Sequence, residues 1–324
     1  MIRTAECVSP MHPDKMCDRI SDTLLDLYLE GDPNSRCAIE TCGGLGEVYI
    51  TGEVTSNTNV TKDEIIKAVH QVTNDNTIKV IINLNSQSPE IAQGVDTGGA
   101  GDQGIMTGYA CRENEQLLPQ EYFLARELNK SIFLKFPYDG KTQITLDRNR
   151  VRVVASFQNA EREDLYEIVV EFFKHYPQYT LEQIHINPAG DWTIGGFTAD
   201  AGLTGRKLAV DNYGPRVPIG GGAFSGKDAT KVDRSAAYMA RRIAVDLLQQ
   251  DESRNEVFVQ LAYAIGHDQP LQATAVIDGV ETPIKNLLEY DLSPEGIIDF
   301  LKLRLPQFAE TAEFGHMGAG FSWK

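Results

Sequence analysis

Apolar residues recur at Cys17, Ile20, Leu24 and Leu27 within DKMCDRISDTLLDLYLE, the spacing of one helical face. Pro13 suits the first helical position and Asp14 the first turn, while Gly31-Asp32-Pro33 ends the run. RCAIETCG and GEVYITGEVT read as two strands joined in a hairpin through Gly43-Gly44. Residues 61–72 predict a short amphipathic helix and TIKVIINLN a strand. Residues 86–108 carry six glycines without periodicity and read as one long loop, a length that in compact domains is usually functional. Beyond it the pattern predicts a helix near 119–130, strands across 142–157, a helix at 161–175 and a strand around 182–187. A helix from Lys231 to Gln250, strands EVFVQLAYAIG and QATAVID, a helix near 294–304 and a glycine-rich tail complete the chain. Paired strands followed by a helix recur about three times, which argues for α+β sheets with helices on one face rather than a doubly wound sheet.

The 324 residues suffice for two or three domains. We expect them at 1–88, 89–193 with the GAGDQG loop, and 194–324 with the GLTGRK and GGGAFSGKD loops, with spatial domains free to be discontinuous in sequence. No apolar run reaches bilayer length and MIRTAECVSPMHPDK lacks a signal-peptide core. Five cysteines without a C-x-x-C pattern suit reduced thiols in a cytoplasmic protein. A net charge of −16 argues against nucleic acid or an anionic membrane as partner. Residues 205–234 nevertheless hold six basic side chains against three acidic ones, the mark of a focused anion site.

That island contains Gly220-Gly221-Gly222-Ala223-Phe224-Ser225-Gly226-Lys227, followed by Lys231 and Asp233. Glycines admit backbone N–H groups close to phosphate oxygens, lysines add point charges, and Asp233 offers oxygens to a hard cation such as Mg²⁺. Lys227 and Lys231, four apart, would share one face of a helix following the turn. The match to a P-loop fails at Asp228, where the nucleotide triphosphatase pattern needs Ser or Thr for Mg²⁺. Gly99 to Gly104 matches G-x-G-x-x-G, but polar loop precedes it where a dinucleotide fold requires a hydrophobic strand. Asp102 there is better read as a ligand for a cationic substrate group, against the bland reading of a tight turn. His12 and Asp14 at a helix start can serve an oxyanion and a metal shared with Asp233, or simply cap the helix. Arg206 and Lys207 follow a glycine turn; on a strand they would face opposite ways and serve different groups. Trp192 is a core residue or a stacking platform, and the other histidines (70, 175, 185, 267, 316) read as structural.

Taken together, His12-Pro13-Asp14-Lys15, GAGDQG, GLTGRK and GGGAFSGKD closely resemble methionine adenosyltransferase (S-adenosylmethionine synthetase), from Thr4 to about Trp323. The resemblance implies three similar βαββ-type domains about a pseudo-threefold axis. It also implies a homodimer with active sites at the interface, sometimes paired into tetramers. The implied reaction joins ATP and L-methionine: the thioether sulfur attacks C5′ and expels tripolyphosphate, which is hydrolysed to phosphate and diphosphate. By motif match His12, Lys141, Arg206 and Lys227 are the implied catalytic residues, His12 against the oxygen leaving C5′. His12, Asp139, Lys141, Trp192, Asp200, Arg206, Lys207, Ala223, Lys227, Lys231 and Ile265 would bind ATP, Trp192 standing where the family stacks an aromatic on adenine. Glu53, Gln87, Asp102, Asp200 and Lys231 would bind methionine. Asp14 and Asp233 would hold Mg²⁺, two ions per site, and Glu40 a K⁺.

The chain departs from the family pattern in four places. Pro10-Met11 replaces Glu-Gly, the segment between Asp96 and Gly99 is short, and so are the central section and tail. Two alternatives use the same loops: an ATP-dependent phosphoryl-transfer enzyme, and a catalytically impaired nucleotide-binding relative.

Overall fold

The computed structural model describes residues 1–86, 99–287, 289–318 and 320–324. Its elements repeat one plan. A lead strand β1 (Ile2–Val8) precedes helix α1 (Pro13–Gly31), the hairpin β2 (Arg36–Gly44) and β3 (Glu47–Thr55), helix α2 (Lys62–Thr73) and strand β4 (Lys79–Asn85). The second round runs β5 (Gly104–Cys111), α3 (Gln120–Lys135), β6 (Gly140–Asp147), β7 (Arg150–Phe157), α4 (Arg162–Lys174) and β8 (Thr180–Ile186). The third begins with β9 (Gly202–Leu203) and the short α5 (Leu208–Asp211), then α6 (Val232–Gln249), β10 (Glu256–Tyr263), β11 (Gln272–Ile277) and β12 (Val280–Pro283). Helices α7 (Pro294–Leu301) and α8 (Phe308–Phe314) follow.

Three four-stranded sheets result, ordered β9-β2-β3-β4, β1-β6-β7-β8 and β5-β10-β11-β12. In the first two, an antiparallel hairpin is followed by a helical crossover to a parallel strand. The third departs: Asp278 and Gly279, both left-handed, turn β11 straight back into an antiparallel β12. Each lead strand pairs not with its own round but with another. β1 joins β6, β5 joins β10 and β9 joins β2, every time antiparallel, so the three rounds exchange strands in a closed cycle. The long helix of each round lies on the sheet containing the exchanged strand: α1 on β2 and β9, α3 on β1 and β6, α6 on β5 and β10.

Alternation decides which face each strand buries. On β2 and β3, Cys37, Ile39, Thr41, Val48 and Ile50 are buried beneath α1. Ala38, Glu40, Cys42, Tyr49, Thr51 and Glu53 share the opposite, more open face. All five cysteines are free thiols, and no helix among the described residues is long and apolar enough to cross a membrane.

Several expectations shift. The hairpin turns at Leu45-Gly46, both with positive φ, while Gly43 and Gly44 belong to β2. Gly43 is required there because the Phe197 ring occupies the place of a side chain, 2.4 Å from an ideal Cβ. Residues 104–108, expected as loop, form the first half of β5, because pairing with β10 satisfies their backbone. Strands β1 and β12 and helix α8 carry too little periodicity to stand out, and their partners are distant in sequence or newly formed by a turn.

Gly108 lets β5 pass directly under α6: an ideal Cβ would lie 2.0 Å from the Ala240 carbonyl oxygen. Gly108→Val is expected to lower unfolding free energy by about 3 kcal/mol, the upper range for overpacking. Denaturant titration checks this.

Candidate active site

The first group of candidate residues gathers at the start of α1. His12 is the N-cap, and its Nδ1 accepts a hydrogen bond from the Asp14 N–H at 3.2 Å. Pro13 loses nothing in the first turn, where no intrahelical acceptor exists. Asp14 is buried and accepts from the Leu203 N–H at 3.0 Å and from Lys207 Nζ at 2.5 Å, with Arg206 Nε at 3.4 Å. Burial favours a neutral Asp14, but the Lys207 and Leu203 bonds outweigh it and hold the carboxyl below its ordinary range.

Arg206 and Lys207 thus lie in a turn between β9 and α5 rather than on a strand. Gly205, at φ +78, reverses the chain so that both reach the same carboxylate instead of opposite faces. His12 is pushed down to about 4, first by burial and then by the positive charges of Lys207 and Lys141, with Asp14 and Asp200 opposing. Lys141, opposite Val8 on β6, and Asp200 therefore belong to the same electrostatic group. Asp139 accepts from the Gly196 N–H at 3.0 Å, tying down the segment after Trp192; burial raises its carboxyl. Trp192 is half-buried against Gly195, and its indole N–H makes no hydrogen bond among the described residues.

A second group forms where the glycine loop crosses the beginning of β5. An ideal Cβ on Gly220 would fall 1.8 Å from the Ile105 carbonyl oxygen, and one on Gly222 2.2 Å from Asp233 Oδ1, so only glycine fits. Lys227 Nζ donates to Asp233 Oδ2 at 2.7 Å, and Lys231 donates to Asp228. The expectation that Lys227 and Lys231 share a helical face is corrected. Helix α6 begins only at Val232, Lys231 is its N-cap, and Lys227 pairs instead with Ala38 at the edge of β2. Asp228 redirects the chain by accepting from the Cys37 and Thr230 N–H groups.

Lys227, bridged to Ala38, falls in one row with Ala38 and Glu53 across β2 and β3, with Glu40 two residues along on the same face. Burial raises the Glu40 carboxyl, and Lys227 partly offsets this. Ala100 exchanges two backbone hydrogen bonds with the Ala264–His267 turn, which carries the exposed Ile265, and the exposed Asp102 follows two residues after Ala100. Gln87 lies outside the described residues.

The two groups meet where Gly205 packs on Ala223, 2.6 Å from the Cβ a larger residue would carry. Along β2, Leu203 pairs with Cys42 and Lys227 with Ala38. These points are four residues apart, roughly 13 Å. The Asp14 and Asp233 groups are thus attached to β2 at two different points, each carboxylate with its own lysine. Sequence reasoning gave no role to the buried Asp18, Asp22 and Arg234 and read Asp228 only as a failed P-loop match, yet all four hold these loops. The four-residue spacing of aspartates on α1 was the available signal.

Glycine turns, clustered cations and acids poised for a hard cation on an α+β frame define a protein that binds a polyphosphate anion. Family models for S-adenosylmethionine synthetase match nearly the whole length: the N-terminal domain at residues 1–89, the central domain at 97–192 and the C-terminal domain at 194–324. The chain belongs to the S-adenosylmethionine synthetase family. It is 38% identical to S-adenosylmethionine synthase of Parvibaculum lavamentivorans, covering 99% of this chain and 95% of that one. It is 39% identical to S-adenosylmethionine synthase 2 of Rhodospirillum rubrum, covering 99% and 94%. An unusual S-adenosylmethionine synthetase from Campylobacter jejuni superimposes with a TM-score of 0.90 at 32% identity, covering 99% of this chain and 96% of that one. The Parvibaculum alignment spans 376 positions against 324 residues, so the chain is trimmed internally relative to that enzyme.

His12 titrates near 6.5 when unfolded and near 4 when folded. Below about pH 6.5 the unfolded chain binds a proton that the folded site refuses, so this contribution to stability falls from pH 6.5 towards 4 and is complete above. NMR titration is expected to place the His12 midpoint near 4, and Lys207→Met to move it upward.

Proposed function

We propose that the protein makes S-adenosylmethionine from ATP and L-methionine, with His12, Lys141, Arg206, Lys207, Lys227 and Lys231 around the departing tripolyphosphate. The observation that carries this reading is the set of lysine–aspartate pairs. Lys207 rests on Asp14, Lys227 on Asp233 and Lys231 on Asp228, each ammonium held by a carboxylate of the chain itself. A polyphosphate arriving with divalent cations allows a charge-balanced exchange: the lysines turn to phosphate oxygens and the carboxylates to the cations.

The donors fit Mg²⁺. Asp14 and Asp233 present only carboxylate oxygens, already occupied by cationic groups. No group of three or more His, Cys, Asp or Glu side chains that could hold a metal occurs among the described residues. Mg²⁺ is commonly held by one or two carboxylates together with substrate phosphates and water, so one aspartate per ion suffices. When bound, such ions neutralise negative charge on the leaving group. Glu40, beside Lys227 on the open face of β2, offers its carboxylate to K⁺.

The methionine sulfur attacks C5′ with its lone pair, and the C5′–O bond breaks with its electrons passing to the tripolyphosphate. His12 is neutral at pH 7. Because its Nδ1 accepts from the Asp14 N–H, the ring proton resides on Nε2 and can be donated to that oxygen. Lys141 and Arg206 add positive charge at the same end. Trp192 stacks on adenine, Asp139 and Asp200 steady the nucleoside side, and Ala223 and Ile265 line the nucleotide. Glu53, Gln87, Asp102, Asp200 and Lys231 take methionine.

The separation of the Asp14 and Asp233 groups within a chain, and the open face of β2 and β3, support a site completed by a second copy in a homodimer, with pairing into tetramers. The family resemblance and the reduced thiols support a cytoplasmic enzyme of three domains near 1–88, 89–193 and 194–324.

Mass spectrometry of protein incubated with ATP, methionine, Mg²⁺ and K⁺ is expected to show the sulfonium product with phosphate and diphosphate. ADP without a sulfonium would identify phosphoryl transfer instead, and ATP binding without tripolyphosphate an impaired relative. Lys227→Ala is expected to reduce kcat by about 10²–10³-fold, the loss typical of removing one transition-state donor. Unchanged turnover would take Lys227 out of the site.

A further inference from the structure

Helix α1 carries aspartates at 14, 18, 22 and 26, successive steps of four residues and about 6 Å along the axis. Each accepts from backbone far away in sequence, the first two from one segment. Asp14 takes the Leu203 N–H, Asp18 the Gly205 N–H at 2.8 Å and Asp22 the Gly226 N–H at 2.9 Å. Asp26 takes the N–H groups of Gln307, Phe308 and Ala309 at the start of α8. Gly205 and Gly226 both have left-handed backbones, and the side chains just after them are Arg206, Lys207 and Lys227.

A second, ionic contact fixes each loop again. Lys15 Nζ bridges Asp18 at 3.1 Å and Asp211 at 2.6 Å, holding α5, whose N-cap is Lys207. Arg234 embraces Asp22 with two hydrogen bonds, at 2.6 and 2.9 Å, and donates to the Lys227 carbonyl at 2.9 Å. Asp18, Asp22, Lys15 and Arg234 have no solvent exposure. Well-packed apolar side chains replacing such a whole buried ionic cluster often stabilise a fold as well. What they cannot do is hold two glycine N–H groups at set positions beneath two cationic turns.

We propose that Asp18 and Asp22 are positioning residues for polyphosphate, setting through the Gly205 and Gly226 N–H groups where Arg206, Lys207 and Lys227 stand. This rests on the reading given above for those cations. Asp26, at the far end of the same row, anchors only α8 and serves as the internal control.

The test uses the full-length protein and inorganic tripolyphosphate with Mg²⁺ as probe. In Asp18→Asn one carbonyl oxygen must serve both the Gly205 N–H and Lys15. Calorimetry is expected to show about tenfold weaker tripolyphosphate binding, as loss of one charge-assisted bond implies, with KM for ATP raised in parallel and KM for methionine unmoved. Asp26→Asn is expected to lower the unfolding midpoint and leave tripolyphosphate affinity unchanged. Equal weakening in both variants, or affinity within twofold of wild type in Asp18→Asn, overturns the assignment. Asp22→Asn strands Arg234 and can prevent folding, so hydrogen exchange on the unmodified protein provides the second measurement. The Gly205 and Gly226 amides are expected to exchange at least about a hundredfold slower than unstructured amides, and loop-like exchange at both overturns the proposal. Wild-type protein that binds tripolyphosphate but forms no sulfonium removes the adenosyl-transfer reading alone. An active wild type with an unaffected Asp18→Asn removes the positioning role alone.

Discussion

Burying carboxylates beneath the sheet of β2 and β9 is the constraint on which this structure turns. A desolvated carboxylate is tolerated only when donors surround it, and α1 places several where no water reaches. Burial pushes the Asp18 carboxyl up, with Lys15 opposing and Asp211 adding to the rise. The donors that answer these groups come from distant segments: β9, the glycine loops, α6 and α8. Satisfying α1 therefore brings the chemistry-bearing loops together as a consequence of folding. Arg234, paired with Asp22 and lying 4.1 Å over the Phe308 ring, joins the same centre to the C-terminal segment.

Strand exchange supplies the frame around that centre. Because β1, β5 and β9 each complete a sheet built mainly by another round, no round closes its hydrogen bonds alone. The exchanged β9 is only two residues long, yet it delivers Gly202 against the backbone of Pro13 and Leu203 against Asp14. This short strand is where the frame becomes a binding site. The third round, with a hairpin in place of a helical crossover, shows that the sheet plan tolerates local replacement as long as the exchanged edge is kept.

Much was legible from local pattern. Helices α1, α2, α4 and α6 lie within a residue or two of their expected spans, since apolar spacing and caps are local properties. The glycine loops and their lysines stood out because close backbone approach demands glycine whatever the surroundings. Side-chain partners did not follow from spacing. Lys227 and Lys231 were expected on one helical face, yet a β-bridge to Ala38 claims one and the helix cap the other. Arg206 and Lys207 converge on Asp14 because a left-handed Gly205 cancels the alternation a strand would impose. His316, isolated in sequence, is buried with its Nδ1 2.7 Å from the Tyr238 hydroxyl.

The sequence by itself determined the α+β class, the rhythm of strand pairs and helices, the family resemblance and the residue types of an anion site. All are written in periodicity, turn chemistry and short motifs. Only the tertiary structure decided which strand completes which sheet, which carboxylate receives each lysine, and that the aspartates of one helix are tied to distant parts of the chain. Those outcomes depend on desolvation and on donors meeting acceptors across nearly three hundred residues of chain, as Asp26 meets Ala309. No local pattern encodes a partner that folding alone brings within reach.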